Sequence, residues 1–247
     1  HTRDRRQRQM CIRDRLDAET GKSIARVRIP EVEIPMEALE VGWAEQDPNL
    51  WWQYLGDATK KLLSETQIKA DQISSIGISY QMHGLVLVDQ DLNPLRKSII
   101  WCDSRATPYG EKAFEKLGKA YCKDHLLNSP GNFTASKLAW VIENEPELYQ
   151  SVYKLMLPGD FLSAKLTGVT QTTITGLSEG IFWDFKNDSP SKALFDYYKI
   201  DQSFVPEVVS NFAVQATVSR TGASATGLLE GTPITYRAGD QPNNAYT

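Results

Sequence analysis

The chain has 247 residues, 41% of them apolar, and a formal net charge of −4. That length and apolar content are enough to bury a substantial core and exclude a disordered chain, while the acidic balance speaks against a nucleic-acid or anionic-membrane partner. No apolar run approaches the ~20 residues that span a bilayer, and the N-terminus lacks the apolar stretch of a signal peptide, so a cytoplasmic protein is expected.

Residues 1–15, HTRDRRQRQMCIRDR, carry six arginines and two aspartates, a local charge of +4 against −8 for the remainder. The segment has no apolar periodicity. It reads as a basic arm or, as we favour, as a foreign or mistranslated leader that packs little against the rest, the domain proper being 16–247. Residues 16–22 then enter a turn and 23–29 alternate like a strand, the remnant of a hairpin whose first partner has been replaced. Asp47 is placed to cap a helix, and Pro48 suits the first helical position, where no amide hydrogen is needed. Trp51, Trp52, Leu55, Ala58, Leu62 and Leu63 recur at helical spacing and mark the buried side.

Residues 73–105, ISSIGISYQMHGLVLVDQDLNPLRKSIIWCDSR, set the cluster Gln81-Met82-His83-Gly84 between two runs built like buried strands, 73–79 and 85–88. The turn residues Asp89, Asp91, Asn93 and Pro94 separate the second run from a third at 98–101. These read as consecutive strands of one sheet. A histidine between a methionine and a glycine at such a junction can aim its ring at a small ligand, while the glycine lets the backbone come close. The same ring can equally be a core histidine satisfied by a backbone carbonyl.

Beyond Arg105 the pattern predicts helices over 108–119 and 134–145, the latter capped by Thr134 and halted before Pro146. A strand over 153–157 leads into a helix over 160–166 stopped by Gly168. Residues 170–175 read as an exposed β-branched strand, 191–198 as a helix, and 233–237 as a last strand running into Gly239-Asp240. Cys11, Cys102 and Cys122 are odd in number and lack C-x-x-C spacing, so free buried thiols are expected, with no disulfide or zinc. Strands and helices alternating over this length indicate an α/β domain.

The segment Gly77-Ile-Ser-Tyr-Gln-Met-His-Gly84, followed by Trp101-Cys-Asp-Ser-Arg105, resembles the sugar-contacting segment of the xylulokinase branch of the FGGY carbohydrate kinases. Thr134-Ala-Ser-Lys137-Leu-Ala-Trp140 is similar to that family's T-x-x-K-L-x-W helix, and Gly239-Asp240-Gln241 to its catalytic G-D-[QN] turn. The resemblance runs from about Leu16 to the last residue. It implies the N-terminal half of a two-domain sugar kinase with a ribonuclease-H-like, actin-like ATPase fold, a small sugar as substrate, and ATP with Mg2+ as cofactors. The implied reaction is phosphorylation of D-xylulose to D-xylulose 5-phosphate. Gluconate, glycerol or another pentulose is the alternative substrate, and a non-catalytic sugar-binding module the competing class. A homodimer is open for the full-length form.

Three departures accompany the resemblance. The family's D-x-G-[ST]-x-x-x-K phosphate turn is missing, with Asp14 a poor substitute, and the sequence stops at Thr247 where relatives continue into a C-terminal domain. We therefore expect a chain truncated at both ends that binds sugar weakly without turning it over. Tyr80 also stands where many relatives have a small residue.

The resemblance assigns Asp240 as the general base; read alone, it is a turn-capping aspartate. Gln241, with donor and acceptor capacity, fixes a hydroxyl or is only a turn residue. Among the substrate-binding residues Gln81, Met82 and His83, Met82 packs on the carbon skeleton and His83 hydrogen-bonds a hydroxyl or the ketone oxygen. Asp103 and Arg105 either contact substrate or form a surface pair worth ~0 to 1 kcal/mol. Trp101 is expected in the core. Lys137 is a solvated helical lysine or a functional one. No metal-ligand set is predicted.

Overall fold

The computed structural model describes residues 11–32 and 34–245, and the side chains of all of these but 11–13, 244 and 245. Strands β1 (Cys11–Leu16) and β2 (Ser23–Ile29) form an antiparallel hairpin. Asp17 closes it by accepting the amides of Glu19 and Thr20 at 3.1 and 2.8 Å, an Asx turn. Both strands lie along α1 (Pro48–Thr66), where Val27 packs with Ala58 and Leu62. Residues 11–15 are thus a paired strand and not the loose arm expected of them, because β2 covers the helix only if its backbone groups find partners. Residues 1–10 of that expected leader lie outside the described residues. Asp14 bonds Arg26 across the hairpin at 2.7 and 3.0 Å on the surface.

After β3 (Glu45–Gln46), Asp47 caps α1 by accepting the Asn49 amide at 2.9 Å, with Pro48 in the first turn. The expected stripe is buried at Trp51, Leu55, Ala58 and Leu62 and half-buried at Trp52 and Leu63. Next come β4 (Ile76–Tyr80), β5 (Val86–Val88), β6 (Ser98–Ile99), α2 (Thr107–Leu117) and α3 (Thr134–Asn144). Phe133, not Thr134, occupies the cap of α3, and the Thr134 hydroxyl is buried without a hydrogen-bond partner. The chain enters the helix one residue early because the Ala135 amide donates to the Gly180 carbonyl, 3.0 Å away, in place of a side-chain cap. Then follow β7 (Lys154–Met156), α4 (Pro158–Thr167), which Gly168 ends at φ 77°, and β8 (Gln171–Thr173). The strand expected to be exposed is buried at Thr172 and Thr173. Their hydroxyls are used inside: Thr172 donates to Asp160 at 2.9 Å, and Thr173 caps α5 (Ile174–Glu179) through the Gly176 amide. Helix α6 (Lys192–Tyr198) is capped by Ser191. The closing run comprises β9 (Glu207–Val209), β10 (Phe212–Thr217), α7 (Arg220–Thr226), β11 (Pro233–Gly239) and α8 (Asp240–Ala245).

The strands around Gln81-Met82-His83-Gly84 do not continue one sheet as expected. Strand β4 lies parallel to β11 in a three-stranded sheet of order β10-β11-β4, with Gly239 opposite Tyr80. Strand β5 instead pairs antiparallel with β7, β6 with β3, and a Leu85–Ile99 bridge joins the two arms. The four residues therefore carry the chain from one sheet to another. Gly84 is needed for packing, since a Cβ there would come 2.6 Å from Pro158 Cγ; the close approach is made by protein, not left open for a ligand.

Helix α4 packs on β4, β11 and α1. Leu55, Ile78, Leu157, Leu166 and Ile234 close one core beneath the sheet, and Val86, Ile100, Met156 and Phe161 a second beside it. Each such side chain contributes ~1.5 to 3 kcal/mol of burial. Across the described residues, no helix is long and apolar enough to cross a membrane.

Candidate sugar site at the ends of two parallel strands

Strands β4 and β11 run parallel and end together, so the residues that follow them emerge side by side. The carboxyl ends of parallel strands are where open α/β sheets gather ligands. Gln81-Met82-His83 follows one strand and Asp240-Gln241 the other. Gly239 fits Met82 tightly: a Cβ on this glycine would sit 2.4 Å from Met82 Cγ and 2.7 Å from Glu179 Oε2. The glycine of the G-D-Q segment thus makes room for Met82. Asp240 is half-buried. Burial raises its pKa above the ordinary aspartate value, while the amides of Asp240, Gln241 and Met82 favour the ionised form. Asp240 opens α8, and Gln241 is exposed beside it.

His83 has φ 63°, a left-handed backbone unusual for a non-glycine residue. Three contacts hold it there. Its carbonyl accepts Lys137 Nζ at 2.7 Å, its amide lies 3.3 Å from Glu179 Oε1, and its ring Nδ1 lies 3.0 Å from the Glu179 carbonyl oxygen. The ring also meets Phe133 edge to face at 4.5 Å. Burial lowers the His83 pKa to about 4, with the Glu179 carbonyl opposing and Lys137 assisting. The imidazole is therefore neutral at physiological pH.

Lys137 is fully buried, unlike the solvated helical lysine that its position in α3 also allowed. Its ammonium group donates to His83 O and, at 2.9 Å, to Ile100 O, tying the turn to the end of the β6 arm. Burial pulls its pKa down to about 8, and Asp103 opposes that.

Gln81 donates to Gln46 Oε1 at 3.3 Å, an oxygen shared with the Trp51 indole. Asp103 and Arg105 form neither a surface pair nor an open substrate contact: their side chains are 0% and 1% exposed. Asp103 accepts the Ala44 amide at 2.6 Å and two or more Arg105 nitrogens, and Arg105 reaches Glu45 at 2.7 Å. Glu45 also pairs with Arg96, and the Arg105 guanidinium stacks on Trp43 at 3.7 Å. Charge is buried here because every member has a partner, and this network braces the wall of the turn. Trp101, expected in the core, is 38% exposed, since the chain leaves β6 two residues earlier. Cys102 is half-exposed near Met36 and Cys122 is buried. The Cys11 side chain lies outside the described residues.

Sequence reasoning missed Glu179. Its carboxyl meets the His83 amide and the Tyr80 hydroxyl, which lies 3.3 Å away, and burial drives its pKa well above the ordinary glutamate value. The signal was an acidic residue held between Leu177 and Ile181-Phe182, all three buried. Tyr80 itself turns away from the cleft: its ring fills the space over Gly159, where a Cβ would meet it at 2.1 Å. Beneath it Asp160 and Arg237 form a buried ion pair at 3.0 Å. Among the described residues no three His, Cys, Asp or Glu side chains cluster to hold a metal ion.

Residues 16–245 match the model of the FGGY family of carbohydrate kinases, N-terminal domain. Xylulose kinase of Bacillus subtilis (strain 168) is 33% identical over 205 residues, 81% of this chain and 40% of that protein. The chain spans about two fifths of the length of such curated relatives. The crystal structure of xylulose kinase from Rhodospirillum rubrum superposes with a TM-score of 0.79 at 24% identity, over 89% of this chain and 47% of that one. Plasmodium falciparum glycerol kinase with ADP gives 0.82 at 21% identity, over 94% and 46%. The fold is the actin-like N-terminal domain of these kinases. With the match covering nearly its whole length, the chain belongs to the FGGY family of carbohydrate kinases as an N-terminal domain.

Proposed function

We propose that the complete gene product transfers a phosphoryl group from ATP to a ketopentose, D-xylulose giving D-xylulose 5-phosphate, and that this chain holds the sugar and supplies the base. The observation that carries the reading is the junction of the two strand ends, where Met82 packs on Gly239 and its amide favours the ionised form of the Asp240 carboxyl. The similarity in sequence to xylulose kinases supports the sugar class.

Asp240 takes the proton of the attacking hydroxyl. Its partial burial makes it a stronger base than a solvated aspartate, while the three amides favour its ionised form. Met82 and His83 contact the sugar, Gln241 orients a hydroxyl, and Gln81, braced by Gln46, completes the turn. Asp103 and Arg105 act through the Glu45 network that walls the turn. ATP would supply the phosphoryl group, and Mg2+ would offset its charge. Asp14 is engaged by Arg26, and no step is assigned through a nucleotide–metal site.

An ATP-coupled assay of the complete gene product tests this. D-xylulose is expected to be phosphorylated in preference to gluconate and glycerol, and Asp240→Asn to lower turnover by roughly 100-fold or more. Preference for gluconate or glycerol, or an Asp240→Asn variant of unchanged turnover, refutes it.

A further inference from the structure

His83 carries more chemical information than its place in the turn. Its Nδ1 lies 3.0 Å from the Glu179 carbonyl oxygen. A carbonyl only accepts, so Nδ1 must carry the proton. In a neutral ring the other nitrogen, Nε2, is then a bare acceptor. Among the described residues Nε2 has no hydrogen-bond partner, whereas the amide, the carbonyl and Nδ1 of this residue are all engaged.

The surroundings fix this state from several sides. Glu179 of α5 meets the amide and Nδ1, Lys137 of α3 presents a cation to the carbonyl, and Phe133 fixes the ring plane. Tyr80 of β4 reaches Glu179, and Asp240 of α8 acts on Glu179 from the other strand end. The nearby cation and the burial both disfavour imidazolium, and the Glu179 carbonyl selects between the two neutral forms.

We propose that His83 is locked as the Nδ1–H tautomer, so that it accepts a hydrogen bond from a sugar hydroxyl and rejects the carbonyl oxygen, which has no proton to give. This rests on the sugar-kinase reading for the identity of the ligand, but the tautomer itself does not. It makes His83 a selector for a hydroxyl at one position of the substrate, and it makes Glu179 a positioning residue, acting through the ring.

Nitrogen-15 NMR of the histidines in this chain decides the matter. The expected result is an Nδ1-protonated, Nε2-bare His83 unchanged between pH 6 and 8, with the Nε2 resonance moving when D-xylulose is added. His83→Asn provides the second arm, since asparagine tolerates the left-handed backbone and keeps a donor near the Nδ1 position while removing Nε2. Deoxy-pentuloses lacking one hydroxyl each are titrated into both proteins. One of them is expected to bind roughly 3- to 10-fold more weakly than D-xylulose to the native chain, with that penalty gone in His83→Asn. The alditol, lacking the ketone, should lose the same factor in both. An Nε2-protonated His83, titration above pH 6, or a ketone penalty that vanishes in His83→Asn overturns the proposal. If no sugar moves any resonance, the sugar-kinase reading fails while the tautomer result still decides the locked state.

Discussion

At the residue scale the site is held by groups whose local sequence gives little sign of their task. Lys137 sits in an amphipathic helix, where its type and spacing are those of a solvated lysine. Only the fold brings it under two carbonyls from separate arms, His83 O and Ile100 O. Replacing it by methionine keeps the volume and removes both donors. The expected cost is about 1 to 3 kcal/mol, chiefly from the His83 carbonyl left without its donor, since the Ile100 carbonyl keeps the Asp103 amide at 3.2 Å, read as a lower urea midpoint with an unchanged slope. A loss below about 0.5 kcal/mol would mean that water satisfies these carbonyls and that the lysine does not hold the turn. By contrast, Met82, His83 and Asp240 stand out in the sequence, because Q-M-H-G and G-D-Q keep the family's order, and the fold brings Met82 against Gly239 beside Asp240. Glu179 was not legible, having no motif around it and meeting His83 across 96 residues.

At the element scale, capping and periodicity found α1, α4 and α6 nearly to their ends, since Asp47, Ser191 and Gly168 act on their own helices. Strand partners were another matter. The run from β4 to β6 looked like a meander because the intervening turns are short, yet β4 pairs with β11, more than 150 residues later. Periodicity reports which face is buried and says nothing of the neighbour. The register of β11 is pinned in part by Arg237, which points into the core to Asp160 of α4 and also donates to the Gln171 carbonyl at 3.2 Å. Burial raises the Asp160 pKa and Arg237 pulls it back, so the carboxylate depends on its partner. Arg237→Met is expected to cost about 3 to 5 kcal/mol by stranding that charge, and Asp160→Leu in the same protein to recover most of it. Urea unfolding of the single and double variants reads both. Equal destabilisation by the single and double changes would show that the pair does not set the register.

At the scale of the whole molecule, the chain is a scaffold that brings two distant segments to one edge. The α/β class was legible in the alternation of elements, whereas the course of 11–15 was not: a charged stretch without apolar periodicity gives no strand signal, yet β1 pairs along all of β2 and covers α1. The sheet places Tyr80 opposite Gly239, Met82 over that glycine, and Asp240 one residue beyond it. The central claim is that these strand ends make one sugar site. A crystal structure of the complete gene product with D-xylulose tests it most directly. The account predicts one pentulose lying against Met82, with hydroxyls within about 2.6 to 3.2 Å of both His83 Nε2 and an Asp240 carboxylate oxygen. A pentulose bound in the structure but touching neither residue, or reaching one while the other faces away, would contradict it.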